Sequence, residues 1–473
     1  MRFASENQPY FTELMQANIQ EMLRDLQKKI GFEYISFNLL SFFCNPVYGG
    51  NTQTGNHDYY FLDHILDFLI SIRLKPLLTL KIDYLDHTGD MSQLQLALPE
   101  DIESLCHHLN EFGCHAVKRY GIGTASDWIF RIWFTRPGQS AIIKNENEFF
   151  SFYQKIFCAV KAVSQKLTVG SPPVSFCSEA EDGMNRRFVH FCTEHSCLPD
   201  HFNFACSERS YHIQNGKLHT NSVTESQLQA LFDRIEAFKK DCRITAVPSW
   251  LFDYNMLTAH NNPGNDTCYK SCCTMYNIAK NLARANMEGF WKLTDYTSIR
   301  PFPSSLFHGG TALYTYNGIA KPYFHVFSFL NRLGKEILAL ESGYLVTRDS
   351  EHRRICIIFY NHDVYPDAAA QRDSHGFSPF RDMKRISFSL KLDQIDGDFY
   401  SMKQFSVCGL HGSSYDTWLK LGSPQNISES SMEFIRNTSP DLTAESDRIN
   451  NGIINIEVNL EPLEIRLVEL EIQ

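Results

Sequence analysis

The residues with the most capacity for chemistry stand at the ends of apolar, strand-like runs. The clearest run is Ile129-Phe130-Arg131-Ile132-Trp133-Phe134-Thr135-Arg136-Pro137-Gly138. Its aromatic and β-branched first half has the pattern of a buried strand, and Pro137-Gly138 stops that strand and opens a loop. A parallel α/β barrel builds its active site at such strand ends. Trp133, Thr135 and Arg136 are therefore candidate ligand contacts. A guanidinium forks onto carboxylate or phosphate and gives up no proton at neutral pH, so Arg136 suits binding and not acid catalysis. Comparable places are taken by Asn38, by Ser249-Trp250, by Trp291 with Asp295, and by His308 ahead of Gly309-Gly310. The tryptophans are as well suited to packing the upper barrel layer as to stacking on a ligand.

Composition narrows the class of function. The net charge of −10 over 473 residues offers no broad basic field, which argues against direct nucleic-acid binding. No apolar run reaches the roughly 20 residues of a membrane helix. The stretch from Phe61 to Leu80 comes closest, and Asp63, His64, Asp67, Arg73 and Lys75 interrupt it. The N-terminal residues lack the apolar core of a secretion signal, so the fourteen cysteines read as reduced thiols in a cytoplasmic protein. Cys106-His107-His108 and Cys114-His115 fall inside a helical pattern without the spacing of a structural zinc site. No metal or cofactor is expected.

The elements that would position these residues alternate. Met1 to Ser5 reads as a strand, Thr12 to Ile30 as an amphipathic helix, Glu33 to Leu40 as a strand and Tyr60 to Ile72 as a helix. The series continues through the helix Pro99–Tyr120, the helix Thr224–Lys240, the strand Arg243–Ser249 and a last strand, Glu288–Thr294. From Gly343 the texture changes to consecutive strands with polar turns, while Ser423 to Asn451 reads as a long polar surface loop. The pattern predicts a (β/α)8 TIM barrel over residues 1–340 and a C-terminal antiparallel β-sandwich over residues 341–473.

Several stretches resemble the β-xylosidase/α-L-iduronidase family of glycoside hydrolases. Ser305-Leu-Phe-His-Gly-Gly-Thr-Ala-Leu-Tyr, Gly318-Ile-Ala-Lys-Pro-Tyr and Phe329-Leu-Asn-Arg-Leu-Gly are similar to that family's Phe-His-Gly-Gly-Phe-Gly-Leu, Gly-Ile-Pro-Lys-Pro and Phe-Leu-Asn-Arg-Leu-Gly. Tyr34-Ile-Ser-Phe-Asn resembles its Tyr-Ile-Arg-Phe-His strand, with Ser36 in place of Arg and Asn38 in place of His. The family's acid/base lies in Trp-Asn-Glu-Pro, and the matching positions here are Thr135 and Arg136. Its nucleophile lies in Thr-Glu-Trp-Asn, and matching Trp250 to that tryptophan puts Ser249 at the nucleophile.

On that match neither carboxylate needed for retaining glycoside hydrolysis is in place. The resemblance then implies a degenerate member: a catalytically inactive, carbohydrate-binding sensor without catalytic residues. The same degenerate fold resembles the C-terminal, ligand-sensing part of some AraC-type bacterial transcription regulators. Arg136 in place of an acid favours an anionic sugar, and a homodimer is compatible with the sequence. The alternative is an active retaining β-xylosidase-like hydrolase, with Glu208 or Asp253 as displaced carboxylates.

Overall fold

A computed structural model of the chain describes residues 2–43, 58–82, 102–134, 145–176, 179–205, 211–214, 217–220, 225–254, 263–282, 284, 286–291, 293–295, 305–362 and 383–473. Eight parallel strands form the first sheet: β1 (Arg2–Tyr10), β2 (Tyr34–Asn38), β3 (Lys75–Ile82), β4 (Ile129–Phe134), β5 (Thr168–Val174), β6 (His201–Ala205), β9 (Ser249–Tyr254) and β10 (Met287–Trp291). A hairpin, β7 (Tyr211–Gln214) with β8 (Lys217–Thr220), intervenes between β6 and β9. The hydrogen-bonding order closes on itself, because β1 pairs with β2 on one side and with β10 on the other.

The helices of this half are α1 (Ala17–Lys29), α2 (Leu40–Phe43), α3 (Tyr60–Ser71), α4 (Ile102–Ala125), α5 (Glu146–Val163), α6 (Glu179–Glu194), α7 (Glu225–Asp241), α8 (Cys268–Lys280) and α9 (Phe324–Leu330). Their boundaries follow local chemistry. α1 buries Ile19, Met22, Leu23 and Leu26 at helical spacing, and Gly31 ends it at a φ of 69°. The Asn145 side chain accepts from the Glu148 amide at 3.0 Å and donates to its carboxylate at 2.9 Å, a reciprocal cap on α5. α4 runs past its expected end at Tyr120, and Gly121 at φ 79° marks the kink where a second short helix begins.

The end of α7 corrects a sequence expectation. Arg243 to Ser249 looks like a strand because of its Ile-Thr-Ala-Val run. Instead Arg243 adopts φ 59° and the Ile244 amide reaches back to the Lys239 carbonyl at 2.9 Å, so these residues close the helix. The strand starts only after Pro248, a residue tolerated just before a strand and not inside one.

The second half is antiparallel. One sheet has the order β11 (Glu336–Glu341), β12 (Tyr344–Asp349), β13 (Arg354–Tyr360), β18 (Ile465–Ile472), β15 (Phe399–Val407), β16 (Asp441–Arg448), and a second pairs β14 (Ile386–Leu392) with β17 (Ile454–Leu460). Two further helices, α10 (Ser414–Lys420) and α11 (Glu429–Arg436), follow β15. The stretch expected to be a long loop thus contains α11 and β16. Every residue of β16 is exposed, so no buried face wrote a period-2 pattern into its sequence.

The nearly unbroken apolar run of β13, and the apolar residues on both faces of β18, have a physical reason: their sheet is covered on both sides. Ile358, Tyr360, Ile465 and Leu467 join the core that continues into the barrel half, while Ile357, Phe359, Val468 and Leu470 pack with Ile456 and Val458 of β17. Arg332 clips the halves together through a bidentate pair with Glu469 of β18. Leu467→Ala should therefore cost about 2–5 kcal/mol. It should lower the urea midpoint of both halves together; a sandwich that melts separately from an unchanged barrel would contradict the shared core.

Candidate functional site

Side chains of alternate residues fill the barrel in layers. Tyr34, Leu77, Ile129 and Trp250 form one buried layer. Two residues further along each strand come Ser36, Thr79, Arg131 and Phe252, and two further come Asn38, Lys81 and Trp133 at the C-terminal ends. This direction decides what each candidate residue can do, since the chemistry of a parallel barrel lies at the C-terminal ends of its strands.

The middle layer holds a cation that sequence reasoning missed. The Arg131 guanidinium is 1% exposed. It donates to the Ser36 hydroxyl at 2.9 Å and to the Thr79 hydroxyl at 3.0 and 3.2 Å, and those hydroxyls are 2.8 Å apart. It also lies 5.3 Å from the Trp133 ring and 5.4 Å from that of Phe252. Ser36 stands where the similar family strand has Arg, so a guanidinium supplied from β4 occupies the side of Ser36. Below it, His201 stacks on Trp250 with ring centroids 3.4 Å apart. Burial, assisted by the Arg131 charge, holds its pKa well below the ordinary histidine value, with Asn203 acting weakly in the opposite sense. Gly170 makes room for it: a Cβ there would lie 2.4 Å from His201 Nε2.

At the C-terminal ends, Asn38 Oδ1 accepts from the backbone amides of Leu40 at 3.1 Å and Lys81 at 3.4 Å, which fixes the turn leaving β2. Trp133 meets Phe252 edge-on at 4.9 Å, and Lys81 Nζ lies 5.8 Å from its centre. Trp291 is the last residue of β10, opposite Glu6 of β1. Thr135, Arg136 and Glu208 lie outside the described residues.

Ser249 and Trp250 need correction as site residues. Ser249 is the first residue of β9, at the end of the barrel remote from the site. Its hydroxyl accepts from Lys239 of α7 at 2.9 Å, and its amide donates to Asn286 at 2.8 Å. Trp250 is 7% exposed in the lowest layer. The strand ends instead with Phe252-Asp253-Tyr254, followed in sequence by Asn255. In sequence this tetrapeptide is also similar to Thr-Glu-Trp-Asn, with Asp253 in the place of its glutamate. The register supports a special geometry there. Leu251 faces Glu288 and Tyr254 faces Phe290, so three steps along β9 match two along β10. Such a bulge breaks strict in-out alternation, a common device beside active sites.

Asp295 is 1% exposed and is no ligand contact. It pairs with Lys321 at 2.6 Å, and Lys321 pairs equally closely with Asp266. Burial alone would lower the Lys321 pKa, but the two carboxylates outweigh it and hold it above the ordinary lysine value. His308, half-buried, heads the loop whose backbone this cluster grips.

The neutral buried imidazoles set an acid limit on stability. His201 is depressed below 6.5, and His325 is pushed down to about 4 by burial. The unfolded chain takes up these protons as pH falls below about 6.5 while the folded chain does not. Their contribution is complete above that pH and is lost at about 1.4 kcal/mol per unit and per histidine below it. Between pH 7.5 and 5, His201→Gln should lose distinctly less melting temperature than the parent; equal losses would show that His201 does not titrate in this way.

Comparison with known proteins agrees with this architecture. The model of the family described as Glycosyl hydrolases family 39 matches residues 9–452. A beta-xylosidase from Geobacillus stearothermophilus is 24% identical over 477 residues, covering 97% of this chain and 90% of its own. One from Caldicellulosiruptor saccharolyticus is 21% identical, covering 94% and 88%. Among solved structures, the GH39 enzyme from Xanthomonas axonopodis pv. citri superposes with a TM-score of 0.82 at 16% identity, covering 100% of this chain and 94% of its own. A monomeric beta-xylosidase from Caulobacter crescentus gives 0.82 at 18%, covering 100% and 96%. Relatives named as beta-xylosidases along nearly the whole chain overturn the expectation of a catalytically inactive sensor within a transcription regulator. That expectation rested on Arg136 at the acid/base position and Ser249 at the nucleophile position, and the place of Ser249 at the start of β9 removes the second of these.

Proposed function

The chain belongs to glycosyl hydrolases family 39, and from that premise we propose that it is a retaining β-xylosidase-like glycoside hydrolase with Asp253 as nucleophile. The observation that carries this reading is the position of Asp253, next to last in β9 and at its bulge. In a retaining mechanism one carboxylate attacks the anomeric carbon, a covalent glycosyl-enzyme forms, and water then releases the sugar. The second carboxyl group first protonates the departing oxygen and later takes a proton from that water. Thr135 and Arg136 follow β4 in sequence, where the motif Trp-Asn-Glu-Pro carries that acid, and neither donates a proton at neutral pH. We assign the role to Glu208, three residues beyond the end of β6.

The two roles separate experimentally. Asp253→Asn should lower turnover of 2,4-dinitrophenyl and 4-nitrophenyl β-xylosides alike, by three orders of magnitude or more. Glu208→Gln should slow the 4-nitrophenyl glycoside about 10²–10⁴-fold, and the dinitrophenyl one far less, because its leaving group departs without a proton. A wild type inactive on both substrates would end the hydrolase reading. Full activity in Glu208→Gln would move the acid elsewhere.

The preference for an anionic sugar stays with this reading. A carboxylate on the substrate would lie near Lys81 beside Trp133, with Arg131 in the layer beneath, and Arg136 follows β4 by two residues in sequence. Aryl β-glucuronide should then compete with aryl β-xyloside for the site at lower concentration than a neutral glucoside does. Equal competition by the two would show that the cations do not read the sugar.

A further inference from the structure

His308 lies between two neighbours that are held from opposite sides. On the barrel side, buried polar groups bind the backbone of each residue from 309 to 312. Asn265 donates to the Gly309 carbonyl at 2.9 Å, and the Gly309 amide donates to Asp266 at 2.5 Å. Lys321 donates to the Gly310 carbonyl at 2.6 Å, Tyr323 to the Thr311 carbonyl at 2.8 Å, and the Ala312 amide to Asp295 at 3.0 Å. Residue 310 must be glycine, because a Cβ there would sit 2.2 Å from Asp295 Oδ1. On the other side the loop meets the C-terminal half. Phe307 packs on Tyr415 and Trp418 of α10, each at 5.5 Å between ring centroids. Phe307, Ile319, Trp418 and Ile435 of α11 form a separate buried cluster, and Ser414 donates to the Ala320 carbonyl at 2.7 Å.

We propose that α10, through Trp418 on Phe307, is a positioning element for His308, and that the C-terminal half thereby sets the affinity of the barrel's sugar site. This rests on the glycoside-hydrolase reading and adds that His308 touches the sugar. Two long antiparallel sheets need no helical insertion after β15 to close their own core. α10 and α11 bury their apolar residues on the barrel loop, and not between the sheets. Trp418 is 8% exposed and far too enclosed to bind a sugar itself. A residue acting only through another loses its effect when that other is removed, which a double-mutant cycle detects.

The experiment compares the parent, Trp418→Ala, His308→Ala and the double variant in hydrolysis of 4-nitrophenyl β-xyloside, with xylose binding measured calorimetrically on the same four proteins. Trp418→Ala should raise KM and the xylose Kd about tenfold with kcat within a factor of two, the pattern of lost uniform binding. In the His308→Ala background the same change should raise both less than twofold. Trp418→Phe, which keeps a ring on Phe307, should restore most of the affinity and confirms that the fold tolerates change there. Equal effects in both backgrounds, or a lowered melting temperature with unchanged KM and Kd, overturn the proposal and leave the hydrolase reading standing. If the parent binds xylose without hydrolysis, the cycle in Kd still decides the proposal and the hydrolase reading alone falls. A parent that neither binds nor hydrolyses overturns both.

Discussion

An ammonium group with no contact to water survives only where its charge is matched, and Lys321 meets that condition. It is 0% exposed, forms ion pairs with Asp266 and Asp295 at 2.6 Å each, and donates to the Gly310 carbonyl at 2.6 Å. Stripping water from such ions costs several kcal/mol each, so removing one partner would leave a buried, uncompensated charge. The consequence is geometric. Asp295 follows the last barrel strand, Asp266 precedes α8, and Lys321 leads into α9, so one cation fixes the distances between three segments far apart in sequence. The glycine-rich loop can then be irregular in backbone and still single in conformation. Its amides and carbonyls answer to buried side chains that cannot move.

Arg131 applies the same economy inside the barrel. Its charge is spread over a planar group, which tolerates burial better than an ammonium and stacks on aromatic faces. Serine, threonine, tryptophan and phenylalanine around it provide hydroxyls in its plane and rings beside it. Burial first, and then the charge of this cation one layer above, hold the His201 pKa well below the ordinary histidine value. The middle layer of the barrel is therefore closed around a cation, and Asp253 follows directly on Phe252, one of the rings beside the charge.

Some of this was legible in the sequence. The alternation of helices and strands, the stripe on α1, the texture change near Gly343 and the loop around His308 all write their burial into residue type. Three features did not. β16 is exposed on both faces, so no hydrophobic period marks it. The Arg243–Pro248 turn carries β-branched residues that mimic a strand, and only the left-handed Arg243 and the proline distinguish it. Asp295 looked like a polar residue at a strand end, while its partner Lys321 is 26 residues away, beyond the reach of local pattern. Matching on Trp250 compounded the second error: Ser249 starts β9 and Trp250 lies in the lowest buried layer, so neither reaches the C-terminal end of the strand.

On the reading of Asp253 as nucleophile, the register of β9 bears on how an aspartate serves where the motif Thr-Glu-Trp-Asn has a glutamate. Aspartate is shorter by one methylene, so its carboxylate falls short of a point that glutamate reaches from the same backbone. A side chain cannot recover that distance, because its rotamers only swing it about the Cβ. The backbone can. An extra residue between Leu251 and Tyr254 bends the strand and raises its local twist, moving the Cα of the bulged segment relative to its neighbours. The bulge falls on Phe252-Asp253 and leaves the pairing of β9 with β6 regular from Ser249 to Phe252. The displacement is thus confined to the side of the strand that faces β10 and to the residues that end it. On that reading a shorter side chain and a bulged backbone are complementary features of the same strand end.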